Sequence, residues 1–309
     1  MDMGERIFKM KRFFECSVTS CAYSAPLAAV CVLRPIRRAP RFVVLALIYL
    51  FLVGVLSVAN ASAENRASRF FPDGLEIPVC PDDSADHEER VLTGFTLCYR
   101  EGYEQAEWVA YTITPEKLIK VAKRTDKFLP DPEISTGSAT PEDYKGSGYD
   151  RGHLAPAADM AYSADTMWES FFMSNMSPQK PGFNRGIWNN LENYVRTVAG
   201  KCDCLYVVTG PVLEKPAPSY AAIGKSRVSV PEYYYKVMLA VSYDDLMGAA
   251  TVSAYAYLLA NEESDARLKT FQCSIDSVEM RTGIDFFSQL DDRLEEMLEK
   301  GIGTSVGVR

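Results

Sequence analysis

Two stretches carry residues whose types and spacing suit chemistry. The first is "YDRGHLAPAADM" (149–160), which sets Asp150, Arg151 and His153 side by side among glycines at 146, 148 and 152. The chain has only two histidines, and the other, His87, lies in the acidic, loop-like run "DDSADHEER". Neutral imidazole is a suitable proton acceptor near pH 7, which makes His153 the candidate general base. The second stretch is "SNMSPQKPGFNRGIWNNLENYVRTVAG" (174–200). Pro178 and Pro181 exclude an earlier helix interior, so the helix should begin near Phe183. From there Ile187, Leu191, Tyr194 and Val198 recur at helical spacing and should face the core. Asn184, Trp188, Glu192 and Arg196 fall every fourth residue, which sets an amide, a carboxylate and a guanidinium along one side.

Several familiar chemistries are excluded. Two histidines give no His-rich zinc site unless they converge, and no H-E-x-x-H spacing exists. The nucleophile elbow G-x-S-x-G of serine hydrolases is missing as well. A cysteine pair at 202 and 204 lacks further ligands at metal-binding spacing.

The elements that would position these residues read as one α+β domain. "TGFTLCYR" (93–100) and "AEWVAYTI" (106–113) form a hairpin around "EGYEQ". "TPEKLIKVAKR" (114–124), with a threonine cap, acid first and base last, predicts a helix. Residues 125–148 are rich in Pro, Gly, Ser and Asp and read as a long surface loop, a feature usually kept for function. "CLYVVTGPVL", "EYYYKVMLAVSY" and "AATVSAYAYLLA" are buried strands, while "SIDSVEMRTG" and "FSQLDDRLEEMLEK" are helical. A loop-rich lead-in over 64–90 precedes a domain over 91–300.

Residues 1–63 read separately. "RPIRRAPR" precedes the apolar run Phe42–Val58, and "ANASAEN" follows it. That pattern fits a secretory signal cleaved after Ala63, or a membrane anchor through 42–58 if uncleaved. Export to a periplasmic or extracellular compartment is expected either way. The whole chain of 309 residues carries a net charge of −8. Residues 1–63 hold 8 Lys and Arg against 3 Asp and Glu, so the remainder has 25 against 38, a net of −13. Such a balance counts against a broad basic clamp for nucleic acid, though not against a local basic cleft. Five cysteines follow residue 63. In an oxidising compartment Cys80–Cys98 would close a short loop, and Cys202 or Cys204 could reach Cys273.

"YDRGHLAPAADM" followed by "SNMSPQ…FNRGIWNNLENYVR" resembles the DNA/RNA non-specific endonucleases, the ββα-metal or His-metal finger class. The likeness is strongest over 144–198. It extends more loosely to the hairpin at 93–113, the strands after 202 and "TGIDFF" (282–287). The resemblance implies a central, mainly antiparallel sheet flanked by helices. It assigns the base to His153, the metal ligand to Asn184, and supporting contacts to Arg151, Asn175, Glu192 and Arg196. Arg124 would match a further phosphate-binding arginine. Gln179 and Trp188 complete the motif as structural residues, and Asp150 is expected to orient the His153 loop or ring. Relatives of this kind are often homodimers.

The residue types suit that implied reaction. Hydrolysing a phosphodiester needs an attacking water, charge relief on phosphoryl oxygens and help for the departing oxygen. Asn184 offers a hard, uncharged oxygen suited to Mg²⁺, with Mn²⁺ as a substitute, since such an ion keeps several waters. Glu192 would hold that water shell, and Arg151 and Arg196 would grip phosphate. Contacts to phosphate and sugar imply little base discrimination, so both DNA and RNA are expected substrates. The alternatives are an exported phosphodiesterase of the same fold acting on small nucleotides or other phosphodiesters, and a secreted module without activity.

Overall fold

The computed structural model describes residues 70–82, 85–244 and 246–308. The expected signal or anchor over 1–63 lies outside them. Among the described residues there are twelve strands, the longest of them β-branched and aromatic runs: β1 (His87–Val91), β2 (Thr96–Arg100), β3 (Gln105–Ile113), β4 (Asp150–His153), β5 (Met176–Gln179), β6 (Cys204–Pro211), β7 (Ala222–Ile223), β8 (Val228–Ser229), β9 (Tyr233–Asp244), β10 (Ala249–Ala260), β11 (Gln272–Cys273) and β12 (Ser305–Val308). The main sheet runs β1-β2-β3-β6-β9-β10-β11, with β12 also on β10, and every pairing in it is antiparallel. Strands β4 and β5 form a ribbon of their own, as do β7 and β8.

The central strands are apolar on both sides because both faces of the sheet are covered. Helix α1 (Pro141–Tyr144) interrupts the long loop, and α2 (Ala164–Glu169) lies between β4 and β5. Helix α3 (Asn189–Ala199) and the turn before it pack Ile187, Leu191 and Val195 against Val109, Val207 and Met238 on one face. On the other, α4 (Ile275–Thr282) and α5 (Asp292–Glu299) bring Val278 and Leu298 against Val208, Val237 and Val252. An α+β fold with a central antiparallel sheet flanked by helices is what the sequence implies, and the β4-β5-α3 unit carries its ββα motif.

Four expectations need correction. His87 is not in a loop: it opens β1, so the sheet begins inside the presumed lead-in, and β12 extends it past residue 300. Residues 114–124 contain only a tight turn over Glu116–Leu118. Downstream, the N–H groups of Val121 and Ala122 both donate to Ala161 O, and this tertiary anchor replaces helical bonding. Helix α5 is shorter than its amphipathic run and starts at an Asp291 cap. Cys80–Cys98 is a disulfide as expected, but Cys202, Cys204 and Cys273 are free thiols. Cys204 lies on β6 and Cys273 on β11, with β9 and β10 between them. Three strand spacings of about 4.8 Å exceed the Cα separation of about 7 Å that a disulfide tolerates.

Candidate active site

The whole D-R-G-H motif is strand β4, paired with "MSPQ" of β5 so that Gly152 faces Ser177 and His153 faces Met176. A Cβ on Gly152 would lie 2.2 Å from Cδ and Oε1 of Gln179. Glycine is required here by this close approach, since the Gln179 side chain fills the space above the strand.

His153 is buried between two aromatic rings. Phe171 meets it edge-on at 5.0 Å between centroids, and Phe128 is tilted against it at 5.7 Å. Those rings also carry arginines: the Arg151 guanidinium lies 4.2 Å from the Phe128 centroid, and that of Arg124 lies 5.0 Å from Phe171. Two cations are thus held beside the imidazole by flat apolar surfaces. Burial, then the charges of Arg124 and Arg151, push the His153 pKa down from 6.5 to about 3. The ring is therefore neutral at physiological pH, and its buried Nε2 has no hydrogen-bond partner. Arg151 makes no ion pair with any described residue, whereas Arg124 pairs with exposed Asp126.

The lead into α3 differs from a regular helix. Residues Phe183–Trp188 form a wide π-type turn kinked at Gly186 (φ −102°, ψ −110°). This turn breaks the i, i+4 phase, so Trp188 is fully buried while Asn184 stays partly exposed. The expected polar side consequently survives only as Asn184, Glu192 and Arg196. Wide turns inside helices often mark functional positions.

Asp150 ties the start of β4 to the turn that leads into α3. It makes no hydrogen bond with the His153 ring; it accepts from Asn184 Nδ2 (3.0 Å) and from Arg185 through Nε (2.8 Å) and Nη2 (2.6 Å). Burial alone would raise its pKa, but the hydrogen bonds from Arg185 and Asn184 outweigh this and hold it below the usual carboxylate range. With its nitrogen tied to Asp150, Asn184 has a carbonyl oxygen that no described residue engages. Asn175 is likewise a brace. Its Oδ1 accepts from Ala155 N, and its Nδ2 donates to Ala155 O and Ser170 O, all at 2.9 Å. Fully buried, it fixes the chain just after His153 and is spent on backbone.

Arg196 donates to Asp159 (2.7 Å) and to Asn193 (2.9 Å), so it serves first as an internal counter-charge. Glu192 keeps a thin exposed edge, yet burial raises its pKa to about 7 against the opposing pull of Lys236. The Arg124 charge acts on both His153 and Glu192.

Three residues of this site gave no signal in the sequence. Phe128 reaches His153 only because Leu129 and Phe171–Met173 exchange backbone hydrogen bonds. Phe171 itself follows α2, just ahead of the second stretch but outside its pattern. Asn261 holds the link between β5 and the helix: its Nδ2 donates to Pro178 O and Pro231 O, and its Oδ1 accepts from Lys180 N.

The donor set fits a hydrated divalent cation. Asn184 presents a hard oxygen from the wide turn, and Glu192 follows eight residues later on α3. Among the described residues the grouping of three acidic ligand atoms is Asp276, Glu279 and Glu299 on α4 and α5, on the opposite face of the sheet. A cation at Asn184 would therefore keep mostly water in its shell.

Comparisons with known proteins bear on the family of the whole chain. The family model for DNA/RNA non-specific endonucleases matches residues 73–293. The chain is 37% identical to a mitochondrial nuclease EXOG of Danio rerio over 66% of its own length and 62% of that protein's. It is 36% identical to the Homo sapiens EXOG, covering 78% of this chain and 72% of the relative. Human mitochondrial endonuclease G is 34% identical over 62% of this chain and 67% of its own. A crystal structure of an EndoG/EndoGI complex superposes with a TM-score of 0.60 at 32% identity, covering 66% of this chain and 86% of that one. The chain belongs to the DNA/RNA non-specific endonuclease family.

Proposed function

We propose that this nuclease hydrolyses phosphodiester bonds in both DNA and RNA with the help of Mg²⁺, His153 serving as general base. The observation that carries the reading is a buried, uncharged imidazole flanked by two arginines on one aromatic wall. Neutral His153 takes the proton from the attacking water. A substrate phosphate would offset the Arg124 and Arg151 charges and lift its depressed basicity. Arg151, without an ion-pair partner, binds a non-bridging phosphoryl oxygen, and Arg124 exchanges Asp126 for the neighbouring one. Asn184, oriented by Asp150, would hold the cation through Oδ1, and Glu192 would accept hydrogen bonds from its water shell. When bound, the cation supplies charge relief to the phosphoryl group and acidic water for the departing 3′ oxygen. Arg196 and Asn175 support the site from behind rather than touch substrate.

Full-length protein incubated with supercoiled plasmid, single-stranded RNA and a small chromogenic diester, each with Mg²⁺ or EDTA, tests this reading. Metal-dependent nicking of plasmid together with loss of RNA is the expected result. Turnover of the small diester alone would instead favour the phosphodiesterase alternative. Export is part of the same proposal: the Cys80–Cys98 disulfide suits an oxidising compartment. Fractionation of cells expressing the full chain, with sizing of the product, tests export, cleavage, attachment through 42–58 and homodimer formation.

A further inference from the structure

A buried cation beneath this site has no part in the steps above. Lys236 lies in the middle of β9, opposite Thr209 of β6 and Tyr257 of β10, and is fully buried. Alternation along the strand puts its side chain with Tyr234 and Met238, on the face that α3 covers. Its Nζ lies 4.9 Å from the Trp188 ring centroid and has no hydrogen-bond partner. Lysine is almost never fully buried unless a charge compensates it. Glu192 stands one helical turn beyond Trp188, on α3, and the charges that act on Lys236 are those of Glu192, Asp159 and Arg196, while Arg124 acts on Glu192 as well. Asp159 already has Arg196 and the Tyr111 hydroxyl as partners. Glu192 has no hydrogen bond from any described residue.

We propose that Lys236 is a positioning residue for the nuclease reaction, its buried ammonium acting as the fixed counter-charge that keeps Glu192 a carboxylate facing the site. The inference rests on the role given to Glu192 above. A carboxylate accepts hydrogen bonds from a cation's water shell, whereas a carboxylic acid offers a proton in their place. Removing Lys236 lets Glu192 bind its proton more readily, so the reaction then needs a higher pH.

The test uses the full-length protein with Lys236→Met, Glu192→Gln and the double variant. One readout is plasmid nicking against pH. The other needs no metal: the protonated-carboxyl infrared band of Glu192, assigned by its loss in Glu192→Gln, followed against pH. In Lys236→Met both the band's midpoint and the acidic limb of the nicking profile should move to higher pH by about 1–3 units, the effect of losing a nearby opposite charge. The double variant should nick no more slowly than Glu192→Gln alone. A uniform loss of rate with an unmoved midpoint overturns the proposal and leaves Lys236 a packing residue. If Glu192→Gln nicks like the parent, the role of Glu192 itself fails, whatever the band does. Should Lys236→Met not fold, the doubly neutral variant should; failure of both to fold also overturns the proposal.

Discussion

Alanine at position 152 would place a methyl group 2.2 Å from Cδ and Oε1 of Gln179 and 2.4 Å from its Cγ. Carbon contacts settle at about 3.5–4.0 Å, so one of the two strands must yield. Gln179 is fully buried and sits on β5, hence its side chain has no open space to swing into without moving the β4–β5 ribbon. Overpacking of this kind costs about 1–3 kcal/mol. His153 is the next residue, and misplacing a reacting group by about 1 Å can lower a rate by about 10²-fold. Gly152→Ala should therefore lose about 2 kcal/mol in urea melts and about 100-fold in plasmid nicking. All three crowded atoms lie beyond Cβ of Gln179, so Gln179→Ala removes them. That residue's amide has no hydrogen-bond partner, so deleting it relieves a desolvation cost while opening a small cavity. The double variant Gly152→Ala/Gln179→Ala should then regain most of the lost stability and rate, a coupling of about 1–3 kcal/mol. Four melts and four nicking rates decide it, and simple additivity of the two substitutions would refute the steric account.

Other expectations follow from the same geometry. Asn175→Ala strands Ala155 N–H and two carbonyls, so urea melts should show a loss of about 2–4 kcal/mol. Burial, with Arg124 and Arg151, holds the His153 pKa near 3 instead of 6.5, so below pH 6.5 the unfolded chain binds a proton that the folded chain refuses. That contribution to stability is complete above 6.5 and is lost as pH falls towards 3; His153→Gln should flatten the stability–pH curve in this window. Arg151→Ala should raise KM for plasmid about tenfold and make nicking less steeply dependent on salt, with Arg151→Lys recovering only part because lysine lacks the planar fork and the stacking surface.

The sheet was legible because strands buried on both faces leave long β-branched and aromatic runs, and the matching β9 and β10 segments show this most clearly. His153, Asn184 and Glu192 were legible as a combination of types rather than singly. Spacing alone misplaced Trp188 on the polar stripe, because one wide turn at 183–188 changes the helical phase and leaves no mark in residue spacing. Asn175 shows a different limit. Sequence reveals an amide but not that three backbone groups consume it. Phe128, Phe171, Asn261 and Lys236 join the site only through tertiary contacts, across separations that no local pattern spans. The segment 114–124 has good helical signals, yet a single carbonyl, that of Ala161, captures its backbone instead.

The central claim is that His153 moves the proton and Asn184 holds the cation, and nicking rate measured against Mg²⁺ concentration separates the two. His153→Ala should lose at least about 10²–10⁴ in maximal rate while keeping the parent's half-saturating Mg²⁺ concentration. Asn184→Ala should need far more Mg²⁺ to reach a lowered maximum. Parent-like curves for both variants would contradict the account.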